Sequence, residues 1–318
     1  MTISILRLND EKAWDEFNQR SPEGSVFSES CFLKAYGDPF EFYSVEKSGH
    51  KLAQLALMRS PSESEIVSKD FLPHLGIQFE PRTGDLYHDQ SIRFRVKELL
   101  VAELFSKFKN IHFYMSPTNL DMRAFQWHEY HSSRPELKYR VETRYTLYLD
   151  ISGLRETEDP FASQLFKSFN PVRRNLIRKS LKEGFQTEVS RDLQILNDLH
   201  RHKDFFMNEH QVNCMLRISE QLLKLGRAKL FVTKDKNGNP AFAALYLLDS
   251  KRAYYLFGAG HPDFQGEGSG ALIQWESFKS LSADGVNEMD LVGINSPSRG
   301  AFKTRFGGRI IPYFSVSR

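Results

Sequence analysis

The sequence predicts an α/β protein with mixed sheets, built as two halves on one plan. Apolar residues recur at three- and four-residue spacing in some segments and alternate in others, which indicates helices interleaved with strands. The tail of each half repeats the order helix, strand, short helix, strand. With 318 residues, the chain has room for two ordinary domains. An acidic stretch with glycine and proline at 151–160 marks a candidate boundary and divides the chain into predicted domains 1–150 and 151–318.

In the first half, residues 1–10 read as a strand, and two strands at 41–47 and 52–59 flank the turn Ser48-Gly49-His50. The predicted tail is helix 91–108, strand 111–115, short helix 121–128 and strand 143–150. Most of the 26 phenylalanines must be core, and some of them are candidates to line a slot for an acyl chain. Those in this half include Phe27, Phe32, Phe40, Phe42 and Phe79.

In the second half, a hairpin is predicted around Asp235-Lys236-Asn237-Gly238-Asn239. Its strands are 228–233 and 241–248, preceded by strand 186–190 and by helices 192–206 and 213–226. Strand 252–260, a glycine-rich loop and helix 271–283 follow. The predicted chain closes with strand 287–292, short helix 299–306 and strand 309–316.

The composition and charge of the chain limit the classes of function that it can have. Hydrophobic residues at 40% and charged residues at 26% are typical of a soluble globular protein, and a net charge of +3 gives no reason to expect DNA binding. The two cysteines, Cys31 and Cys214, lie far apart and predict buried thiols in a reducing compartment. No apolar run approaches the roughly 20 residues that cross a bilayer, so we expect a cytoplasmic protein without a transmembrane segment. The histidines form no obvious ligand set, and no metal site is expected.

The glycine-rich loop is the most informative motif. It reads Gln265-Gly266-Glu267-Gly268-Ser269-Gly270 between a strand and a helix. Such a loop leaves backbone N–H groups bare at a helix N-terminus, where they and the helix dipole suit a phosphate or pyrophosphate. No Gly-Lys-Ser/Thr follows, so the loop is not a P-loop, and its glycine spacing is not that of a dinucleotide-binding fold. The alternative is a simple turn.

A basic helix precedes this motif at 171–183. Asn170 is a plausible N-cap with Pro171 at the first helical position, and Gly184 is a plausible stop. Ile177 and Leu181 are expected to dock. The cations Arg174, Arg178 and Lys182 share one face, and Arg173 widens it. They form either an ordinary solvated face or a site for a phosphate-bearing ligand such as a nucleotide-sugar, a phospholipid or tRNA.

These motifs resemble those of a known family. The stretch 171–184 is similar to the helix that opens the second half of FemAB-like proteins, which consist of two tandem GNAT folds. The ending Phe302-Lys303-Thr304-Arg305-Phe306-Gly307-Gly308 resembles that group's F-K-x-x-F-G-G signature, and 290–295 resembles one of its strands. The spacing Gln-x-x-Gly-x-Gly is similar to the pyrophosphate loop of GNAT acyltransferases. Over 1–150 the resemblance is loose and limited to 72–77.

The resemblance implies an acyltransferase with acyl-coenzyme A as donor and an amine or hydroxyl of a cell-envelope or nucleotide-sugar precursor as acceptor. Backbone N–H groups of Phe257, Gly258 and Ala259 are candidates for the oxyanion. Lys303 is expected to face the acceptor cleft between the halves and to stabilise developing charge, with Arg305 beside it. Candidates for the remaining tasks are Tyr254 or Tyr255 as acid, and Asp290 and Asn295 to orient the acceptor.

Two alternatives stay open. The first is an aminoacyl-tRNA-dependent transferase that extends a peptidoglycan precursor. It is less favoured because no long heptad segment of the kind used for tRNA is visible and because the glycine loop is intact. The second is a GNAT-derived binding module without catalysis.

Overall fold

The predicted first hairpin lies in an antiparallel sheet of four strands. The computed structural model describes residues 3–59, 65–66, 70–82, 84–201, 207–266 and 268–318. The first five strands are β1 (Ile3–Arg7), β2 (Phe40–Lys47), β3 (His50–Met58), β4 (Glu65–Ile66) and β5 (Gln78–Phe79). The sheet order is β1, β2, β3, β5, and β2 and β3 form the hairpin. Residues 1–2 of the predicted first strand lie outside the described part of the chain.

Helices and two further strands complete the first half. They are α1 (Glu11–Arg20), α2 (Ser30–Tyr36), α3 (Leu86–Leu99), β6 (Asn110–Tyr114), α4 (Arg123–Trp127) and β7 (Arg140–Asp150). Helices α1 and α2 carry no motif that sequence reasoning identified. Helix α3 begins five residues earlier than predicted because the Asp85 carboxylate caps it by accepting a hydrogen bond from the His88 N–H at 3.1 Å.

The second half contains the remaining elements in the predicted order. They are α5 (Gln164–Ser168), α6 (Pro171–Lys182), β8 (Gln186–Ser190), α7 (Leu193–Arg201), α8 (Glu209–Lys224), β9 (Ala228–Lys234), β10 (Pro240–Leu248), β11 (Ala253–Gly260), α9 (Ser269–Ala283), β12 (Glu288–Asp290), α10 (Pro297–Thr304) and β13 (Arg309–Ser317). Residues 202–206 of one predicted helix lie outside the described residues. The α/β class with mixed sheets and the repeated tail order are confirmed.

By spatial contact the chain divides into unit 1, Met1–Arg144 with Pro312–Arg318, and unit 2, Tyr145–Ile311. In unit 1, β6 pairs with the end of β13, and Phe27, Phe32 and Phe79 are at most 1% exposed, so these three rings are core. In unit 2, the sheet order is β7, β12, β11, β10, β9, β8. Its strands pair antiparallel except for β11 with β12, which are parallel.

Aromatic rings dominate the core of unit 2. Trp275 of α9 lies 4.9 Å from the ring of Phe166 and 5.7 Å from that of Phe169. Phe306 follows α10 and packs 5.2 Å from Phe169, so the last aromatic of the C-terminal signature is a core residue. Burial of large rings supplies much of the free energy of folding.

The two glycines that end this signature are fixed by geometry. Gly307 has φ 72° and Gly308 has φ 88°, in the left-handed region that favours glycine. A Cβ at Gly308 would lie 2.5 Å from the carbonyl oxygen of Tyr148 and 2.7 Å from the Leu149 side chain. The glycine pair therefore lets the chain pass close to β7 after Phe306.

We predict that Gly308→Ala destabilises the protein by about 2–4 kcal/mol, since it adds a steric clash to the cost of a left-handed alanine. The matched control is Gly226→Ala. Gly226 has φ 67° but no atom within 4 Å of its Cβ position, so only the conformational cost of about 1 kcal/mol applies. Chemical denaturation of both variants measures the difference. Equal losses would show that the contact with Tyr148 is unimportant.

Candidate functional site

The glycine loop forms a bare helix N-terminus. Helix α9 begins at Ser269, and its N-cap Gly268 has φ 88°, while Gly266 has φ 85°. Among the described residues, no side chain caps this helix and none in its first turn is acidic. The N–H groups of Ser269 and Gly270 thus meet no capping side chain, which is the arrangement that favours an anion. Glu267, which sequence reasoning placed in the loop, lies outside the described residues.

The loop packs directly on the basic helix α6. A Cβ at Gly268 would lie 2.6 Å from Ser180 Oγ and 2.8 Å from the carbonyl oxygen of Leu176. Asn170 caps α6 by accepting a hydrogen bond from the Val172 N–H at 2.9 Å, and its own N–H donates to the Arg305 carbonyl at 2.9 Å. Two predicted motifs therefore meet at one place, because a glycine at 268 allows the close approach.

A cavity of about 410 Å³ opens beside the loop. Its lining combines two guanidinium groups, those of Arg173 and Arg305, with the apolar rings of Phe242, Phe264 and Phe302. Its lining comprises Arg173, Leu176, Phe242, Gly260, His261, Phe264, Gln265, Gly266, Gly268, Ser269, Gly270, Ala271, Ser298, Ala301, Phe302 and Arg305. The lining from Phe242, His261, Phe264, Ser298 and Phe302 was not predicted.

Arg173 is a buried cation in this cavity. It is 5% exposed, and its guanidinium lies 4.5 Å from the ring centre of Phe302 and 4.8 Å from that of Phe306. One N–H donates to the Phe302 carbonyl at 3.1 Å, while Nε has no hydrogen-bond partner among the described residues. Burial, with a smaller contribution from Arg305, lowers the pKa of Arg173 to about 10.

Within the described ranges, neither Arg173 nor Arg305 forms an ion pair with an acidic side chain. A buried guanidinium beside a second one is costly unless an anion compensates both charges. The cavity is therefore suited to a negatively charged ligand. The i, i+4 spacing of Phe302 and Phe306 was visible in the sequence, but nothing in it indicated that Arg173 would pack against both rings.

The other cations of α6 differ in position. Arg174 is half-buried with an Nε that has no partner in the described part of the chain, whereas Arg178 and Lys182 are exposed. The Arg178 guanidinium lies 5.0 Å from the Phe166 ring. The docking face also differs from the prediction. Ile177 is buried as expected, but Leu181 is 39% exposed, because Arg173, Ile177 and Ser180 form the buried stripe instead.

Strands β11 and β12 part early. Their parallel pairing consists of Ala253 with Met289 and Tyr254 with Asp290, yet β11 continues to Gly260. On its other edge, β11 pairs with β10 up to Gly260, with an irregularity at Leu245/Tyr246. The His261 N–H donates to the Ala241 carbonyl at 2.9 Å. Successive N–H groups along a strand point to opposite edges, so the N–H groups of Phe257 and Ala259 point toward β10, as that of His261 does. The N–H groups of Gly258 and Gly260 therefore point toward the opposite edge of β11. Of the three predicted oxyanion donors, Gly258 is the one on the open edge.

The two tyrosines of β11 have different surroundings. The Tyr254 hydroxyl donates to Asp249 Oδ2 at 2.7 Å, and the residue is fully buried. Tyr255 is 8% exposed, and its ring centre lies 5.3 Å from Lys303 Nζ. A Cβ at Gly258 would lie 1.9 Å from the Tyr255 hydroxyl oxygen, so that hydroxyl adjoins the Gly258 backbone. Burial raises the pKa of Tyr255, which keeps the phenol protonated at neutral pH.

Lys303, Asp290 and Asn295 lie next to one another in the fold. Lys303 is 8% exposed, and its ammonium donates to the carbonyls of Val292 and Gly293. Asp290 is fully buried and accepts hydrogen bonds from the Thr146 hydroxyl and the Val292 N–H. The Asn295 side chain accepts from the Tyr145 N–H at 2.7 Å and donates to the Tyr145 carbonyl at 3.0 Å. All three side chains thus contact backbone of the segment after β12 or of β7.

Sequence comparison decides the family of unit 2. Residues 173–304, which include Arg173, the glycine loop and Lys303, match the family model described as an acetyltransferase (GNAT) domain. Residues 173–304 therefore form a GNAT-type acyltransferase domain, and the whole chain has the fold of the tandem GNAT structures. The predicted family resemblance, fold class and enzyme class are thereby confirmed.

Solved structures match this chain over nearly its whole length. FemX is 16% identical with a TM-score of 0.64, and the match covers 99% of this chain and 97% of FemX. A tandem GNAT protein from the clavulanic acid biosynthesis pathway is 11% identical, with a TM-score of 0.54 and coverage of 100% and 98%. The C-terminal domain of a putative lysylphosphatidylglycerol synthetase from Agrobacterium fabrum is 12% identical, with a TM-score of 0.56 and coverage of 96% and 91%. At such identities the likeness concerns the fold. No curated protein matches the chain.

The described residues provide neither a metal-binding cluster nor a membrane-spanning helix. They contain no group of three or more His, Cys, Asp and Glu side chains placed to hold a metal ion. No helix formed by them has the length and apolar character needed to cross a bilayer.

The buried lysine gives a testable pH dependence. Burial lowers the pKa of Lys303 from 10.5 to about 7, with Asp290 opposing the shift and Arg299 adding to it. Between pH 7 and 10.5 the unfolded chain therefore binds more protons at this site than the folded one, so this residue's contribution to stability rises with pH. We predict that wild type gains stability relative to Lys303→Met between pH 7 and 9, by at most about 1.4 kcal/mol per pH unit. Denaturant titrations at each pH measure this difference, and parallel pH curves would contradict it.

Proposed function

We propose that unit 2 transfers an acyl group from an acyl-coenzyme A donor to an amine or hydroxyl of a cell-envelope or nucleotide-sugar precursor. The observation that carries this proposal is the buried Arg173, which has no acidic partner in the described chain and lines the same cavity as the bare N-terminus of α9. The pyrophosphate of coenzyme A would supply an anionic partner for Arg173 and Arg305 and hydrogen-bond acceptors for the loop N–H groups.

The open edge of β11 supports direct transfer. The acceptor nitrogen or oxygen loses its proton to solvent and attacks the thioester carbon, which places a negative charge on the carbonyl oxygen. Collapse of this intermediate breaks the carbon–sulfur bond, and coenzyme A leaves as a thiolate that is then protonated. In this proposal, the Gly258 N–H stabilises the charge on the carbonyl oxygen. Tyr255, the tyrosine beside Gly258, donates a hydrogen bond to the departing thiolate. Lys303 receives a different role below, because its ammonium already binds two backbone carbonyls.

Unit 1 offers no equivalent donor site at its long helix. The N-terminus of α3 is capped by the Asp85 carboxylate, and Asp89 lies in its first turn. These carboxylates occupy and neutralise the positions that an anion needs. We therefore assign the donor to unit 2 and propose that unit 1 serves acceptor recognition.

One observation favours a second candidate, an aminoacyl-tRNA-dependent transfer. Arg178 and Lys182 continue the cationic surface of α6 beyond the cavity lining, and neither has an acidic partner in the described ranges. A long cationic surface suits a polyanion such as RNA. The likeness to FemX and to a putative lysylphosphatidylglycerol synthetase domain is compatible with this candidate.

We predict that coenzyme A raises the melting temperature of the wild-type protein and that Arg173→Met abolishes the rise. Saturation at about 100 times Kd corresponds to about 2.7 kcal/mol of stabilisation. Arg191→Met is the matched control, since Arg191 is exposed and absent from the cavity lining, and it should retain the full shift. Differential scanning fluorimetry of the three proteins checks this.

A parallel titration with total tRNA separates the two candidates. A shift with tRNA that weakens steeply with salt, without any shift with coenzyme A, would transfer the proposal to the aminoacyl-tRNA donor. Absence of a response to both ligands would contradict the assignment of an anionic donor to this cavity.

A further inference from the structure

Strand β12 ends in a strained turn. Val292 has φ 44° and Gly293 has φ 61°, both in the left-handed region. Glycine adopts this region freely, but a β-branched residue such as valine is a steric outlier there. Such a conformation persists only where surrounding contacts enforce it. The contacts of Val292 therefore indicate what the turn is for.

Two buried, oppositely charged side chains hold the turn. The Val292 N–H donates to Asp290 Oδ1 at 2.8 Å, and the Val292 carbonyl accepts from Lys303 Nζ. The same ammonium donates to the Gly293 carbonyl at 3.2 Å. The Thr146 hydroxyl in turn donates to Asp290 Oδ1. Both polar groups of Val292 are thus engaged by buried side chains, the N–H by the Asp290 carboxylate and the carbonyl by Lys303 Nζ, which can donate whether or not it is protonated.

The turn keeps the chain beside β7. The Leu291 N–H donates to the Leu147 carbonyl at 2.9 Å, and the Ile294 N–H donates to the Tyr145 carbonyl at 3.0 Å. Pairing of β12 with β11, in contrast, stops at Tyr254 and Asp290. If β12 continued regularly, its next residues would pair with the edge of β11 that presents the Gly258 and Gly260 N–H groups.

We propose that Lys303 and Asp290 are positioning residues that lock the Val292–Gly293 turn and so keep the Gly258 edge of β11 open. The proposal deepens the function proposed above, in which the Gly258 N–H binds the acyl oxygen, and it gives Lys303 a role through the backbone. Asp290 fixes the N–H side of the turn, and Lys303 fixes its carbonyl side. Neither side chain then needs to contact the substrate.

A double-mutant cycle tests the lock. Val292→Gly removes the steric penalty, so the turn no longer depends on Lys303. We expect Lys303→Met to lower the melting temperature strongly in the wild-type background and by roughly half as much or less in the Val292→Gly background. The matched control is Lys229→Met. Lys229 is partly buried and binds Asp284 and Ser280 rather than the turn, so Lys229→Met should lower the melting temperature equally in both backgrounds.

Amide hydrogen exchange supplies the second readout. In Lys303→Met, the Gly258 amide should exchange more slowly relative to the Phe257 amide, which bonds to β10, because β12 can then extend along the freed edge. A global loss of stability would speed both amides and leave their ratio unchanged. Additive effects in the cycle, or an unchanged ratio, would overturn the proposal.

Failure to fold is also informative. Folding of Lys303→Met in the Val292→Gly background alone is the rescue that the lock predicts. If Lys303→Met folds in neither background, Thr146→Val replaces it in the double-mutant cycle with Val292→Gly. Thr146→Val removes only one hydrogen bond from Asp290, so its effects on melting temperature should be smaller. None of these measurements uses a donor, so their failure is distinguishable from a failure to bind coenzyme A.

Discussion

The Arg173 guanidinium is the group on which the arrangement of unit 2 depends. It packs against the rings of both Phe302 and Phe306 and donates to a carbonyl of α10. Its helix, α6, packs on the glycine loop at Gly268. One cation thus joins the basic helix and the C-terminal signature at the cavity. Stacking on two rings compensates part of the cost of burying the charge. The remaining positive charge beside Arg305 is the reason for proposing that the cavity takes an anionic donor.

The second constraint concerns the parting of β11 and β12. Parallel strands normally continue to pair while both remain extended, so an open edge inside a sheet requires a device that diverts one strand. The turn at Val292 and Gly293 is that device, and its strain is local, buried and held by charged groups. The last residues of β11 then lie between the Gly258 N–H, which faces the open edge, and the uncapped N-terminus of α9. Strand, loop and helix together provide the geometry that acyl transfer from an anionic donor requires.

Much of this fold could be predicted from the sequence, since hydrophobic periodicity and turn residues are local signals. The hairpin around Asp235, for example, forms because the Asp235 carboxylate accepts from the Asn237 and Asn239 N–H groups and Gly238 has φ 87°. Helices α1 and α2 were not predicted, although α1 carries such a signal in Asp10, whose carboxylate caps it by accepting from the Ala13 N–H. At the site, the loop and the basic helix were predictable as separate motifs. Their contact was not, because it depends on the space that Gly268 leaves against Ser180.

Side-chain surroundings were the least predictable feature. Alternation placed Tyr254 and Tyr255 on opposite faces, but only the fold shows that Tyr254 binds Asp249 and Tyr255 lies over Lys303. Lys303 stood out through its motif, yet its burial against two carbonyls depends on a positive φ at Val292, which no local rule for valine predicts. Phe302 and Phe306 were visible as part of the C-terminal signature, but their packing against Arg173 depends on contacts distant in sequence.

The measurement that tests this account most directly is hydrogen exchange of unit 2 with and without saturating coenzyme A. The account predicts slower exchange at the amides of Gly266 to Gly270, where the pyrophosphate binds the bare N-terminus of α9, with little change in β8 and β9. Protection confined to other segments, or none at all, would contradict the placement of an anionic donor at this loop.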